Sequence, residues 1–327
     1  MNGGLTFHGG RLAEARARFG GSAQEWLDLS TGINPTAWPG ADRLDVDWRG
    51  LPDPQELHGL EDQAAAFFGV DPLLCCAVPG SEMGLRMLAR VLALPGMHLP
   101  LCYRTHADVF ADRNDAAPGA PSVFVIANPN NPDGRLTSSD RLLDLLERQE
   151  VETGWLIVDE AFADCRRDWT IADMVREDRR LIVLRSFGKF FGLAGVRLGF
   201  VLGPSNVLAP LRRLLGEWPV CSAALTFGTV AYADKTWISA TRAMLPAQAA
   251  GLDAVLSRHG LVAQGQCPLF RLVETEHAHA LFTALASQHI LARPFAAHPN
   301  LLRFGLPDGD ADLARLDAAL GKLLSDG

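Results

Sequence analysis

No C-x-x-C pair, no long run of like charges and no unbroken apolar stretch of about 18–20 residues occurs in the 327-residue chain. The last absence excludes a membrane-spanning helix, and Met1–Arg18 offers no apolar core of the kind a secretory leader needs. The expected location is the cytoplasm. With 30 Lys and Arg against 38 Asp and Glu the formal charge is −8, and the cations are nowhere concentrated. Partnership with nucleic acid or an anionic membrane is therefore not expected, because both demand clustered positive charge. Cys75, Cys76, Cys102, Cys165, Cys221 and Cys267 are scattered. A chain this long needs no covalent staples, so most of them should be reduced, buried and without chemistry.

Several catalytic signatures are missing as well. A phosphate loop fails because Val183 stands where its first glycine would be and Phe190 follows Gly188-Lys189. No G-x-G-x-x-G follows a strand-like run, and neither H-E-x-x-H nor G-x-S-x-G occurs. His277 and His279 are two apart, so on a helix they point to different faces. Nucleotide-loop, dinucleotide, zinc-protease and serine-hydrolase chemistry are thereby set aside, and no metal site is expected.

What is present is a globular composition, 48% apolar with 31 glycines, and an alternation of helical and short apolar segments from Pro54 onward. That alternation predicts an α/β layer architecture with a mainly parallel sheet. Asp53 followed by Pro54 caps a helix whose Leu57, Leu60, Ala64 and Phe67 share a face and which Gly69 ends. A second helix runs from Ser81 toward Leu94, stopped by Pro95-Gly96. Thr137 with Asp140 three residues later predicts a capping box ahead of Leu142, Leu143, Leu145 and Leu146. The runs 122–127, 155–158, 181–184 and 198–202 are nearly all apolar and suit strands covered on both faces. After Gly216 the pattern turns to a smaller α+β domain, with helices over 223–250 and 276–289, strands over 269–273 and 301–304, and a last helix from Asp310. Before Pro54 an arm carries a short helix, 11–19, closed by Gly20-Gly21, and a strand, 26–29. The expected domains are an arm over 1–45 joining the small domain, a large domain over 46–220 and a small domain over 221–327.

Polar residues gather behind these strands, where open α/β sheets bind ligands. Asn128-Pro129-Asn130-Asn131-Pro132-Asp133-Gly134 follows the first run. Asp159-Glu160-Ala161-Phe162 follows the second. Ser186-Phe187-Gly188-Lys189 follows the third, with Arg197 eight residues beyond the lysine. This succession resembles the pyridoxal-phosphate (PLP) enzymes of aspartate-aminotransferase fold. More narrowly it is similar to the histidinol-phosphate aminotransferase branch and its threonine-phosphate decarboxylases of cobalamin biosynthesis. His8-Gly9-Gly10-Arg11, the run from Leu27 to Pro35 and the block from Leu184 to Gly199 carry the likeness, which spans nearly the whole chain.

The resemblance implies a PLP-dependent transferase of fold type I, an α/β chain with a large mainly parallel sheet domain and a smaller α+β domain. It implies a homodimer acting on a phosphorylated amino acid. PLP needs a lysine that bonds to its aldehyde and later carries a proton, and Lys189 is that candidate. Asp159 would keep the pyridine nitrogen protonated, Asn131 would donate to the ring's phenolic oxygen, and Tyr103 would stack on the ring. Backbone N–H groups of Gly80, Ser81 and Glu82 at a helix start, with Ser186 and Arg197, would hold the cofactor phosphate. Arg303 matches the carboxylate-binding arginine and Arg293 the one that takes a substrate phosphate, with His8, Gly32 and Asn34 on the arm completing the pocket.

Two departures bear on the activity. Aminotransferases of this branch carry tyrosine where Phe162 and Leu51 stand here, and both changes look like the decarboxylases. Decarboxylation of L-threonine O-3-phosphate is thus the expected reaction. Transamination of histidinol phosphate is the alternative, and a non-catalytic PLP-binding module a third.

Overall fold

The computed structural model describes residues 4–5, 8–110 and 119–325, with side chains through Lys322. The apolar runs form a six-stranded sheet ordered Cys75–Val78, Gly199–Leu202, Leu181–Ser186, Trp155–Asp159, Val123–Ala127, Gly96–His98. The last four are mutually parallel, and Gly199–Leu202 is antiparallel to both of its neighbours. Every residue of Trp155–Asp159 and Leu181–Ser186 is buried, as expected for strands covered by helices on both faces.

Two compact units divide the chain. One comprises Ala37–Asn131 and Leu136–Ser239, and the other takes the rest. These limits differ from the 45/46 and 220/221 boundaries expected from composition, and local packing explains why. The helical stretch after 222 is split at Asp234, whose carboxylate accepts the Trp237 N–H (3.0 Å) and the Trp38 indole N–H (3.0 Å). That cap ends Ser222–Ala233 and starts Lys235–Arg258. Ser222–Ala233 then packs in the larger unit, where Tyr232 lies 4.9 Å from Phe67 and 5.1 Å from Phe191, ring centre to ring centre.

Asp53 caps Pro54–Phe68 through the Gln55 N–H (2.7 Å), and Gly69 closes that helix in the left-handed region, as the sequence predicts. The predicted Thr137 cap is replaced by a neighbour. Ser138 accepts the Arg141 N–H (3.3 Å), because the Thr137 N–H is already committed to the Asn128 side chain (2.9 Å).

Cys75–Val78 is an edge strand, and its exposed flank is closed rather than left to pair with another chain. The buried Glu61 accepts the Ala77 N–H (2.8 Å) and binds Arg212 through both carboxylate oxygens (2.9 Å each). Glu61→Ala should lower the unfolding free energy by about 2 kcal/mol, the penalty for an orphaned buried N–H, since half-exposed Arg212 can turn to water. Glu61→Gln, which keeps an acceptor, should lose less than half of that. Denaturant midpoints compare the two, and equal losses would show that the ion pair, not the strand edge, dominates.

The smaller unit holds a four-stranded antiparallel sheet ordered Arg293–Pro294, Leu301–Gly305, Phe270–Glu274, Ala263–Gln264. The arm strand Leu27–Asp28 pairs in parallel with Ile290–Leu291. Leu29, Leu256, Phe282, Leu285, Phe304 and Leu316 meet in its core.

Candidate active site

Each strand that runs in the common direction hands a polar residue to its carboxyl end. Gly80-Ser81 follows Cys75–Val78, Tyr103 follows Gly96–His98, Asn131 follows Val123–Ala127, Asp159 closes its strand, and Ser186 closes Leu181–Ser186. The chain then makes a wide turn before returning antiparallel at Gly199, with Ser186 opposite Gly199 and the Phe187 N–H donating to the Leu198 carbonyl (3.2 Å). Lys189 and Arg197 both lie on that turn. One cavity is lined by Gly80, Ser81, Glu82, Tyr103, Asn131, Asp159, Ser186, Lys189 and Arg197, all nine of the residues assigned to the cofactor from sequence. Ala127, Ala161, Phe162 and Leu85 complete its walls.

Lys189 sits on a helix of four residues, Phe187–Phe190, too short to persist by itself. Aromatic packing supplies what length does not. Phe187 stacks on Phe191 (4.7 Å), Phe191 on Trp237 (5.5 Å), and Phe190 meets Trp237 edge-on (5.5 Å). Full burial of each phenylalanine contributes about 1.5–3 kcal/mol, so the turn that carries the lysine is anchored to the core.

Anion-binding groups collect at one part of the cavity. Gly80, Ser81 and Glu82 stand at the start of the twelve-residue helix Ser81–Leu92, whose dipole favours negative charge there, although the Gly80 N–H expected to take part already donates to the Val78 carbonyl (2.7 Å). Gly80 has φ +90°, and a Cβ there would come within 2.7 Å of the Arg197 guanidinium. Glycine is therefore what lets the arginine lie against the helix start. Arg197 itself holds a left-handed backbone (φ 57°), a conformation costly for a non-glycine residue and typical of functional turns.

Asp159 is buried with its carboxylate held from two sides: Oδ1 accepts the Ala161 N–H (3.1 Å) and Oδ2 contacts His106 Nε2 (3.1 Å). The sequence reading missed His106. It stands three residues after Tyr103 on Arg104–Val109, a spacing that puts both on one helical face, and their rings meet edge-on at 5.6 Å. Burial pushes the Tyr103 phenol up to about 12, so it is neutral at physiological pH. Burial likewise pushes the Cys76 and Cys267 thiols up to about 12 and Cys102 to about 11, which keeps all three protonated near neutrality.

The five residues assigned to the substrate all belong to the smaller unit. Arg293 and Arg303 lie directly opposite each other on antiparallel strands and so share a face, and both are buried. Asn34 is buried and its Oδ1 accepts the Thr36 N–H (3.1 Å). Gly32 is buried and His8 half-buried.

The larger unit's cavity thus offers a primary amine, a buried carboxylate with its own donors, and a helix start with a guanidinium against it. That donor set fits PLP: Arg197, Ser186 and the helix start at Ser81-Glu82, with Gly80 leaving room for the arginine, for its phosphate, Asp159 for its ring nitrogen, Lys189 for its aldehyde. Bound PLP supplies an electron sink for a bond broken at the α-carbon of an amino acid.

The family model for aminotransferase class I and II matches residues 102–320. The chain belongs to this family of PLP-dependent enzymes. Within it, the chain is 38% identical to a threonine-phosphate decarboxylase of a Sinorhizobium species, over 97% of this chain and 98% of that protein. A threonine-phosphate decarboxylase of Pseudomonas aeruginosa is likewise 38% identical, over 96% of each. The crystal structure of L-threonine-O-3-phosphate decarboxylase from Porphyromonas gingivalis superposes with a TM-score of 0.78 at 17% identity, covering 91% of this chain and 99% of that one. Among the described residues, no helix is long and apolar enough to cross a membrane.

Proposed function

We infer that the chain is a PLP-dependent carboxy-lyase that converts L-threonine O-3-phosphate and a proton to (R)-1-aminopropan-2-yl phosphate and CO2, in cobalamin biosynthesis. The observation that carries this reading is the likeness, over nearly the whole length, to two threonine-phosphate decarboxylases. Phe162, buried in the cavity wall without a hydroxyl, agrees with it. Arg303 holds the substrate carboxylate and Arg293, with His8, Gly32 and Asn34, its phosphate; a guanidinium's rigid fork suits either anion. Asp159, kept in place by His106 and the Ala161 N–H, would pair with the ring nitrogen of the cofactor. Asn131 would donate to the ring's phenolic oxygen and Tyr103 would pack on its face, both lining the cavity. Lys189 delivers a proton to the α-carbon once the carboxylate has left, so no second substrate is consumed. The working unit in this reading is a cytoplasmic homodimer, for which the exposed Trp48 and Leu51 of the larger unit supply apolar surface.

The test is incubation of the PLP-loaded protein with phosphothreonine and no keto acid. Equal amounts of CO2 and phosphorylated amine over many turnovers are expected. Inertness toward phosphothreonine, with amino transfer from histidinol phosphate to 2-oxoglutarate, would replace the lyase by an aminotransferase. A monomer's elution volume would refute the dimer.

A further inference from the structure

The smaller unit gives the His8-Gly9-Gly10 motif a role that neither cofactor nor substrate contact provides. Arg303 is buried on Leu301–Gly305, with its guanidinium over the Phe270 ring (4.9 Å to the centroid) and Nη2 donating to the Ser30 carbonyl (3.0 Å). Burying a guanidinium is costly unless its donors are met, so the Ser30 oxygen helps fix where the fork points.

Several contacts fix that oxygen in turn. The Ser30 N–H and hydroxyl both donate to Asp28 Oδ1 (2.9 and 2.5 Å), and its Oγ accepts the Gly10 N–H (2.8 Å). One residue earlier the Leu29 carbonyl accepts the Gly305 N–H (2.6 Å), which lays the arm along the strand that carries Arg303. A Cβ at Gly9 would run into the Ser30 carbonyl oxygen, the same atom that accepts from Arg303. Any side chain at position 9 must therefore move the arm away or displace the acceptor of the arginine.

We propose that Gly9 is a positioning residue for Arg303: by leaving room beside the Ser30 carbonyl it lets the arm hold the guanidinium in the orientation that takes the substrate carboxylate. This rests on the reading of Arg303 as the carboxylate ligand. It makes the arm a determinant of selectivity for amino acids over the amines that lack the carboxylate.

The discriminating comparison is between phosphothreonine and its decarboxylated product, which keeps the phosphate and has no carboxylate. In the holoenzyme, Gly9→Ala should raise KM for phosphothreonine about tenfold, as expected for a binding group shifted by a fraction of an ångström. The inhibition constant of the product, and its dissociation constant by calorimetry, should rise less than half as much, because a shift of the arm reaches the product only through the phosphate contacts of His8, Gly32 and Asn34. Ser30→Ala, which keeps the carbonyl but removes the hydroxyl that holds Gly10, should move KM in the same direction by about threefold and serves if Gly9→Ala does not fold. Arg303→Gln should show the same one-sided pattern, larger. Equal weakening of substrate and product in the Gly9 and Ser30 variants, or no change in either, would overturn the positioning role. A normal KM for Arg303→Gln would instead remove the underlying assignment of Arg303.

Discussion

Lys189→Ala should lower the turnover of phosphothreonine by at least about 10³-fold, because positioned proton transfer alone is worth roughly 10²–10⁴ and the covalent anchor is lost with it. The variant should fold. Phe187, Phe190 and Phe191 hold the turn, and the half-exposed lysine contributes little to that packing. Lys189→Arg should be nearly as inactive, since a guanidinium keeps the charge but stays protonated and does not bond to an aldehyde. The chain makes a clean chemical readout possible. It has only two other lysines, Lys235 and Lys322, both exposed. Borohydride reduction of the PLP-loaded protein should therefore leave a pyridoxyl group on the peptide containing Lys189 and on no other, and on none in the variant. A modified Lys235 or Lys322, or full turnover without Lys189, would remove this residue from the centre of the chemistry.

Lys189 was legible because the apolar run 181–184 leads into Ser186 and then a glycine-rich turn, and because that block resembles the PLP enzymes, a pattern that survives in one dimension. The same holds for Asp159, Ser186 and Asn131, each of which ends or follows a strand, so their gathering around one cavity is a consequence of parallel topology. His106 was not legible. Its partner Asp159 is 53 residues away, and nothing local distinguishes it from any buried helix residue. Thr137 was misread for a similar reason: its N–H answers to Asn128, nine residues back, and the cap passes to Ser138. The two-residue strands Ile290–Leu291 and Arg293–Pro294 are too short for a periodic signal and exist through their partners alone. The limit near Ser239 likewise depends on Tyr232 finding a cluster of aromatics contributed by distant segments.

Arg185→Met should destabilise the protein by about 3–5 kcal/mol, the range for stripping one partner from a buried ion cluster. Arg185 is buried on the strand that ends in Ser186, and it binds two buried carboxylates, Glu160 and Asp164, together with the Thr170 hydroxyl. Strand alternation puts this cluster behind the site: Asp159 and Ser186 face the cavity while Glu160 and Arg185 point the other way. Methionine fills much the same volume, so the loss comes from two carboxylates left in the core rather than from a void. Replacing all three charged residues by apolar ones should recover only part of it, because the Ile171 N–H, which donates to Glu160 (2.8 Å), would then be orphaned at about 1–3 kcal/mol. The pH dependence gives the sharper test. Burial is the largest influence on Glu160 and pushes its carboxyl up even with Arg185, Thr170 and the Ile171 N–H pulling it down. Without Arg185 it must rise further. A carboxyl whose pKa is higher folded than unfolded binds more protons in the folded state, so the stability of Arg185→Met should increase as pH is lowered from 8 toward about 5. Denaturant midpoints of the variant, taken relative to the parent at each pH, should converge toward acid. A difference that stays constant over that range would mean the two carboxylates had found other partners or water. Since Asp159 and Ser186 are chain neighbours of the disturbed residues, the variant should also release PLP more readily at pH 8 than at pH 6.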